Sequence, residues 1–322
     1  MKILVTGSNG FIGTHLVPRL NSLGTVFEFK SDLKNHKDVK LELVKIQPDI
    51  ILHLAAKTEV QKSFVEQISF SEINYVGTVN LIESCRSLKK SPFILFASTM
   101  EVYGWQPISD EVKNLQIPKV KIAFDEKTPP NPNAPYAVAK YACEKYFEYA
   151  ARAYGLEWAS FRQTNAFGRK DNDYFVTEQI ITQMLQHNIC NLGYAEPYRN
   201  FIFIDDVIDA WIKILEYKDK CKNNIFTIGP DDPRKIKDCA TYIAKQLNWT
   251  GSINWNTKEP RPGEIYWLNS NHKLITEKTG WKPKISFDDL VNEMVEHDYA
   301  LATELMKNPK LGSKIIKEQL KY

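Results

Sequence analysis

Apolar residues along this chain fall into two kinds of block. Short continuous runs, KILVT (residues 2–6), TVFEF (25–29), DIILHLA (49–55) and FILFAS (93–98), read as strands buried on both faces. Between them, apolar residues recur at helical spacing over 11–24, 38–47 and 69–89. Pro18 argues against an unbroken first helix, and Gly24 is a natural end for it. The pattern continues with a helix over 136–155 and a strand over 156–162. Strands alternating with helices through short connections predict an α/β fold, a Rossmann-like doubly wound parallel sheet.

The later chain is more mixed. Helices are expected in FVTEQIITQMLQHN, over 233–247, and around 271–279 and 286–305. FIFIDDVIDAWIKIL joins a short strand to a helix, residues 225–229 form a strand, and 258–264 a loop. These segments predict a smaller C-terminal lobe over the carboxyl ends of the strands, where open parallel sheets bind ligands. No internal repeat is visible.

Gly7, Gly10 and Gly13 stand between the first strand and its helix. Gly7 suits a tight turn, Gly10 a close phosphate, and Gly13 close packing of helix on sheet. The free N–H groups of the helix start suit an anion, so a dinucleotide pyrophosphate fits here. Residues 1–168 are therefore assigned mainly to a dinucleotide-binding domain carrying the catalytic residues. Residues 169–322 are assigned mainly to the substrate-binding lobe, with segments crossing between the two. In FEFKSDL, Lys30 at the ribose 2′ position would favour NADP, whereas Asp32 would accept from the adenine or ribose. The choice between NAD and NADP stays open at this point.

Tyr136 and Lys140, in YAVAK, lie four residues apart and share one helix face. A free tyrosine is a poor base near neutrality, but a neighbouring ammonium and a positive nicotinamide stabilise its phenolate. Tyr136 then takes a proton from a sugar hydroxyl while hydride leaves the same carbon, and Lys140 holds the nicotinamide ribose. FASTMEVYG follows a strand, so Ser98, Thr99 and Glu101 are expected at the same edge. Thr99 would bond the reacting oxygen, Ser98 would position the ring, and Glu101 would bring a carboxylate.

Composition narrows the alternatives. The 322 residues are 43% hydrophobic and 25% charged, with a formal net charge of +3. The lysines are scattered rather than gathered on one arm or face, which disfavours a nucleic-acid partner. Five widely spaced cysteines without a CxxC pair predict buried thiols in a reducing compartment and no metal site. No segment has the apolar length of a membrane span or signal, so cytoplasmic residence is expected.

Taken together, the motifs resemble the extended short-chain dehydrogenase/reductase family, and within it the nucleotide-sugar epimerases and dehydratases. TGSNGFIG, HLAA (53–56), NYVGTVNL (74–81), STMEVYG, YAVAK, RNFIFIDDVIDA (199–210), RPGE and TGWKPKISF carry the resemblance through nearly the whole chain. It implies that Asn9, Phe11, Ile12, Leu54, Ala55 and Ala56 border the cofactor, with Asn74 bracing that region. It implies an oxidation machinery of Thr99, Tyr136 and Lys140. Lys57, Asn165, Arg199 and Arg261 would face the substrate, the two arginines meeting its diphosphate.

The resemblance further implies a tightly bound, recycled NAD or NADP, a nucleotide-diphosphate sugar as substrate, and a homodimer. Glu101 resembles the glutamate of the 4,6-dehydratases, whereas Met100 departs from their aspartate. A 4-epimerase, a uronate decarboxylase and a 4-keto-sugar reductase are the rival reactions. A dinucleotide-binding protein without turnover is the non-enzymatic rival, which the Thr99, Tyr136 and Lys140 set argues against.

Overall fold

The computed structural model describes residues 1–104, 122–168, 175–257 and 261–296. Its strands, in chain order, are β1 (Lys2–Thr6), β2 (Thr25–Glu28), β3 (Ile50–His53), β4 (Phe93–Thr99), β5 (Trp158–Gln163) and β6 (Asn165–Phe167). They continue as β7 (Ile189–Asn191), β8 (Tyr198–Phe203), β9 (Asn224–Ile228), β10 (Pro233–Lys235) and β11 (Ser252–Asn254). A six-stranded sheet has the order β2-β1-β3-β4-β5-β9, and every pairing in it is parallel. The order reverses between β1 and β3, and that switch point opens a crevice at the carboxyl ends of the strands.

Strand alternation fills both faces of this sheet. Ile3, Val5, Leu52 and Leu95 pack on one side with Leu16, Leu20 and Trp211, from helices Phe11–Leu20 and Ile204–Glu216. Leu4, Ile51, Ile94 and Phe96 pack on the other with Leu43, Leu81 and Phe147, from helices His36–Ile46, Gly77–Cys85 and Pro135–Tyr154. This is the doubly wound sheet that the apolar pattern predicts.

β10, β8 and β6 form a three-stranded sheet, and β11 pairs with β7. The chain crosses between sheets on both sides of residue 168. β6 belongs to the smaller sheet, whereas β9 closes the edge of the larger one.

Several boundaries differ from the sequence expectation. The first helix stops at Leu20 and keeps Pro18 inside it. The helix expected over 69–89 begins earlier, at Gln67, contains a π turn at Glu72–Val76 and ends at Cys85. The helix expected over 233–247 starts only at Ile236, because Pro233–Lys235 pairs antiparallel with β8. Helix continues over residues 287–296, and residues 297–305 lie outside the described residues, as do 258–260 of the expected loop. The middle of the long excursion between Tyr103 and Tyr136, residues 105–121, also lies outside them.

Candidate active site

Gly7 turns the chain out of β1 with φ +71°, and the Gly10 N–H donates back to its carbonyl at 3.0 Å. A Cβ at Gly7 would stand 2.7 Å from the Ala55 nitrogen, and one at Gly13 would stand 2.4 Å from the Gly7 oxygen. The turn thus needs glycine for its backbone and for the close approach of the β3 end. Between them opens a cleft of about 310 Å³, lined by Gly7, Gly10, Phe11, Ile12, Gly13, Leu54, Ala55 and Ala56. The same cleft reaches Ser98, Thr99, Glu101, Tyr136, Lys140 and Asn165. Predicted cofactor and catalytic residues therefore share one space. Asn9 is exposed at the turn and is not among the lining residues.

The wall at Ala55 is fixed by a directed chain of hydrogen bonds. The Ala55 N–H donates to Thr6 Oγ1 at 3.1 Å, and Thr6 Oγ1 lies 2.7 Å from His53 Nδ1. His53 Nε2 lies 2.9 Å from Thr78 Oγ1, which donates to the Asn74 carbonyl at 2.6 Å. Each hydroxyl hydrogen is thereby assigned, leaving His53 neutral with its proton on Nε2. Burial lowers its pKa to about 3, and Lys140 adds to the effect. Since the folded value lies below the unfolded one, this stability is fully present above about pH 6.5 and is lost as pH falls toward 3. Urea unfolding at pH 7 and pH 5 should show the native protein losing about 2 kcal/mol more than His53→Gln over that interval. Equal losses would show that His53 charges freely in the folded protein.

Asn74 holds the backbone at Lys57 from both sides. Its Oδ1 accepts from the Lys57 N–H at 2.8 Å and its Nδ2 donates to the Lys57 carbonyl at 2.9 Å. The Lys57 ammonium turns to Glu66 and to Ser69 Oγ, and lies 5.1 Å from the Phe70 ring centre.

At the end of β2 the structure brings forward a residue that the sequence reading passed over. Glu28, the last residue of that strand, accepts from Ser8 Oγ of the glycine turn at 3.0 Å. Lys30 lies 3.7 Å from the same carboxylate and is largely exposed, and Asp32 accepts from the Lys34 N–H. Position at the strand end was the available signal for Glu28, because that is where an acidic group meets the adenine ribose in this kind of sheet.

The candidate catalytic groups gather where β4 ends. Thr99 Oγ1 accepts from the Glu101 N–H at 3.2 Å and so caps the 3-10 turn Met100–Tyr103. Pro135 starts the helix Pro135–Tyr154, which places Tyr136 in its first turn and Lys140 one turn later. Burial pushes the Tyr136 phenol well above its ordinary value. A hydrogen bond with Thr99 pulls it back, and Glu101 adds to the rise. Lys140 donates to the Ala97 carbonyl at 2.7 Å and lies 4.6 Å from the Phe96 ring centre. Burial brings its pKa down to about 8.

One further turn along the helix, Glu144 is fully buried. It accepts from Ser98 Oγ at 2.6 Å, and from Arg162 Nε at 3.1 Å and Nη2 at 2.7 Å. Arg162 Nη1 donates to the Tyr103 hydroxyl at 2.6 Å, which donates to the Asp125 carbonyl. This network ties the loop after β4 to the helix Pro135–Tyr154. The sequence reading missed it, although Glu144 repeats the four-residue step from Tyr136 to Lys140.

Arg199 and Arg261 meet on one carboxylate. Glu264 accepts from Arg199 Nη2 at 2.6 Å, and from Arg261 Nη2 at 2.7 Å and Nε at 3.1 Å. Burial works to raise the Glu264 pKa, but the two guanidinium groups outweigh it and hold it at about 2. Arg199 also donates to the Ile265 and Tyr198 carbonyls, so it clasps the 261–266 segment to β8. Arg261 reaches to 3.8 Å from Glu101, which lines the cleft, but neither arginine is itself among the lining residues.

Residues 3–229 match the family described as NAD dependent epimerase/dehydratase. The chain belongs to that family. It is 27% identical over 315 residues to a putative UDP-glucose 4-epimerase of Methanocaldococcus jannaschii, covering 91% of this chain and 97% of that one. It is 30% identical over 270 residues to the dTDP-D-glucose 4,6-dehydratase of Dictyostelium discoideum, covering 75% of this chain and 61% of that one. Among solved structures, the UDP-glucose 4-epimerase of Thermotoga maritima with UDP-glucose superposes with a TM-score of 0.81 at 25% identity. That match covers 94% of this chain and 99% of the other. As a member of the epimerase/dehydratase family the protein is an NAD(P)-dependent enzyme, and the glycine turn and cleft fit that cofactor. No helix among the described residues is long and apolar enough to cross a membrane, and no three His, Cys, Asp or Glu side chains there gather as a metal site.

Proposed function

We propose that this enzyme is a nucleotide-sugar 4,6-dehydratase, which converts its substrate to a 4-keto-6-deoxy nucleotide sugar. The observation that carries the reading is the Glu101 carboxylate, which lines the same cleft as Thr99 and Tyr136. NAD(P), when bound, supplies the hydride acceptor at the sugar C4 and a positive ring that counters the effect of burial on Tyr136. Tyr136 takes the C4 hydroxyl proton, with Thr99 sharing its hydrogen bond and Lys140 fixed behind it on Ala97. Once C4 is a ketone the C5 hydrogen is acidic, so Glu101 takes the C5 proton and gives one to the C6 hydroxyl, which leaves as water. The hydride taken from C4 then returns to C6 as a proton returns to C5, with no net oxidation. Asn165, which also lines the cleft, faces the sugar. Segments of residues 169–322 supply the substrate lobe, with Arg261 toward the diphosphate.

Epimerisation at C4 is the second reading, and Met100 favours it. That side chain is fully buried against Val102, Tyr103 and Phe124, so the loop offers one carboxylate and no acid beside it. Product mass after incubation with UDP-glucose and dTDP-glucose separates the readings. Loss of water supports dehydration, and an unchanged mass with a new sugar supports epimerisation. Loss of carbon dioxide from a nucleotide-linked uronate would make the enzyme a decarboxylase. Glu101→Gln should lower dehydration by roughly 10²-fold or more; full dehydration by that variant would remove Glu101 from the reaction.

A second copy of the chain is the proposed partner. Val65, Ile68, Val76, Val138 and Tyr149 are exposed apolar side chains on or beside two packed helical segments, residues 67–85 and Pro135–Tyr154. Sedimentation equilibrium should give twice the chain mass, and Ile68→Glu with Val138→Glu should halve it. A monomer in the unsubstituted protein would contradict this partner.

A further inference from the structure

Phe96 and Ser98 fall on the same face of β4, the face covered by the helix Pro135–Tyr154. Phe96 meets that helix at Phe147, with ring centres 5.3 Å apart. Ser98 meets it at Glu144, so its hydroxyl hydrogen is committed to a buried carboxylate although the residue borders the cleft.

The register of the sheet places Arg162 of β5 directly opposite Ser98. Arg162 holds both oxygens of Glu144, through Nε and Nη2. Its Nη1 donates to the Tyr103 hydroxyl, and the guanidinium carbon lies 4.8 Å from the Tyr103 ring centre. Ser98 and Tyr103 are thus tied to the same buried pair. Thr99 and Glu101, which line the cleft, lie between the two ties. Neither Glu144 nor Arg162 is itself among the lining residues.

The helix face opposite this loop carries matching partners. Tyr136, Lys140 and Glu144 repeat at four-residue steps. Tyr136 shares a hydrogen bond with Thr99, Lys140 donates to the Ala97 carbonyl and Glu144 accepts from Ser98. Three successive residues of β4 are therefore matched to three turns of the helix. A buried ion pair is costly to desolvate, and apolar side chains of the same volume often hold a fold as well. What apolar side chains cannot do is fix a hydroxyl at 2.6 Å while a guanidinium fork fixes the carboxylate that receives it.

We propose that Glu144, held by Arg162, is a positioning residue that keeps Thr99 in register with Tyr136 by tying Ser98 to the helix. The inference rests on the reading of Tyr136 as the base and adds to it a pair that acts from outside the cleft. Displacing a reacting group by a fraction of its own size is enough to slow a reaction by about 10²-fold.

Replacing Glu144 would strand Arg162, so the test cuts the tie at Ser98 and leaves the ion pair in place. Turnover of UDP-glucose and of dTDP-glucose by NAD-loaded Ser98→Ala protein is followed by product mass. We expect kcat to fall about 10-fold, with KM changed by less than about 2-fold. The urea midpoint and the NAD content should match those of the unsubstituted enzyme. In a Tyr136→Phe background, Ser98→Ala should lower the residual turnover by less than about 2-fold, because groups that act as a unit are not additive. Full kcat in Ser98→Ala overturns the proposal. An undiminished loss in the Tyr136→Phe background overturns it as well, since Ser98 would then act through another group. A fall in midpoint or NAD content that accounts for the lost kcat makes the tie merely structural and has the same consequence. Normal turnover by Tyr136→Phe, or no turnover of either nucleotide sugar by the unsubstituted enzyme, instead overturns the functional reading, and the positioning role falls with it.

Discussion

Tyr136→Phe should bind its cofactor normally and lose turnover by roughly 10²–10⁴-fold, the range contributed by one positioned proton-transfer group. That corresponds to about 3–5 kcal/mol on the barrier. The substitution removes one oxygen and leaves the ring. Its edge-on packing with Phe70, at 6.5 Å between centres, is unaffected. The lost contact is the hydrogen bond with Thr99, inside the cleft. Steady-state kcat with the true nucleotide sugar, and the NAD(P) content of the purified protein, separate chemistry from cofactor binding. Turnover equal to that of the unsubstituted enzyme would remove Tyr136 from the reaction.

Glu144→Ala should destabilise the fold by about 3–5 kcal/mol, the cost of leaving a buried charge without its partner. Arg162 would remain almost wholly buried, at 2% exposure, with the Tyr103 hydroxyl as its remaining neighbour in the network. Ser98 would lose its acceptor as well. An exposed pair on the same helix gives the contrast. Lys145 and Glu148 approach to 2.7 Å near the surface, and Lys145→Ala should change stability by less than about 1 kcal/mol. Urea unfolding of both variants measures the difference. A loss below about 1 kcal/mol for Glu144→Ala would mean that water or a rearranged side chain compensates Arg162.

The parallel sheet was legible because its strands are buried on both faces. Ile3, Leu4 and Val5 alternate between two cores, so every position is apolar and the strand reads as a continuous run. The glycine turn was legible because only glycine satisfies both the φ of +71° and the 2.7 Å approach of Ala55. The four-residue spacing of Tyr136 and Lys140 placed them on one helix face, while their proposed role came from the resemblance. Groups paired across long stretches of sequence were not. Glu264 finds Arg199 from 65 residues away, and Glu144 finds Ser98 from 46. No local pattern encodes such partners, because the sheet order brings them together. β10 was misread for the same reason: Pro233–Lys235 has no strand signature of its own and is extended because β8 lies beside it. Glu28 was passed over for Lys30 and Asp32 because the end of β2 lies at Glu28, just before the stretch where an acidic residue was sought.

The return of β9 to the larger sheet limits how this architecture can be divided. A chain ending at residue 168 would leave one side of Ala159–Gln163 without its hydrogen-bonding neighbour and Phe161 without Phe226. Such a fragment carries a bare, apolar margin of the kind that seeds aggregation. The chain after residue 168 therefore also completes the sheet built by the chain before it. Exchanging C-terminal halves between relatives would have to transplant this strand as well, or preserve its side chains against the recipient's core.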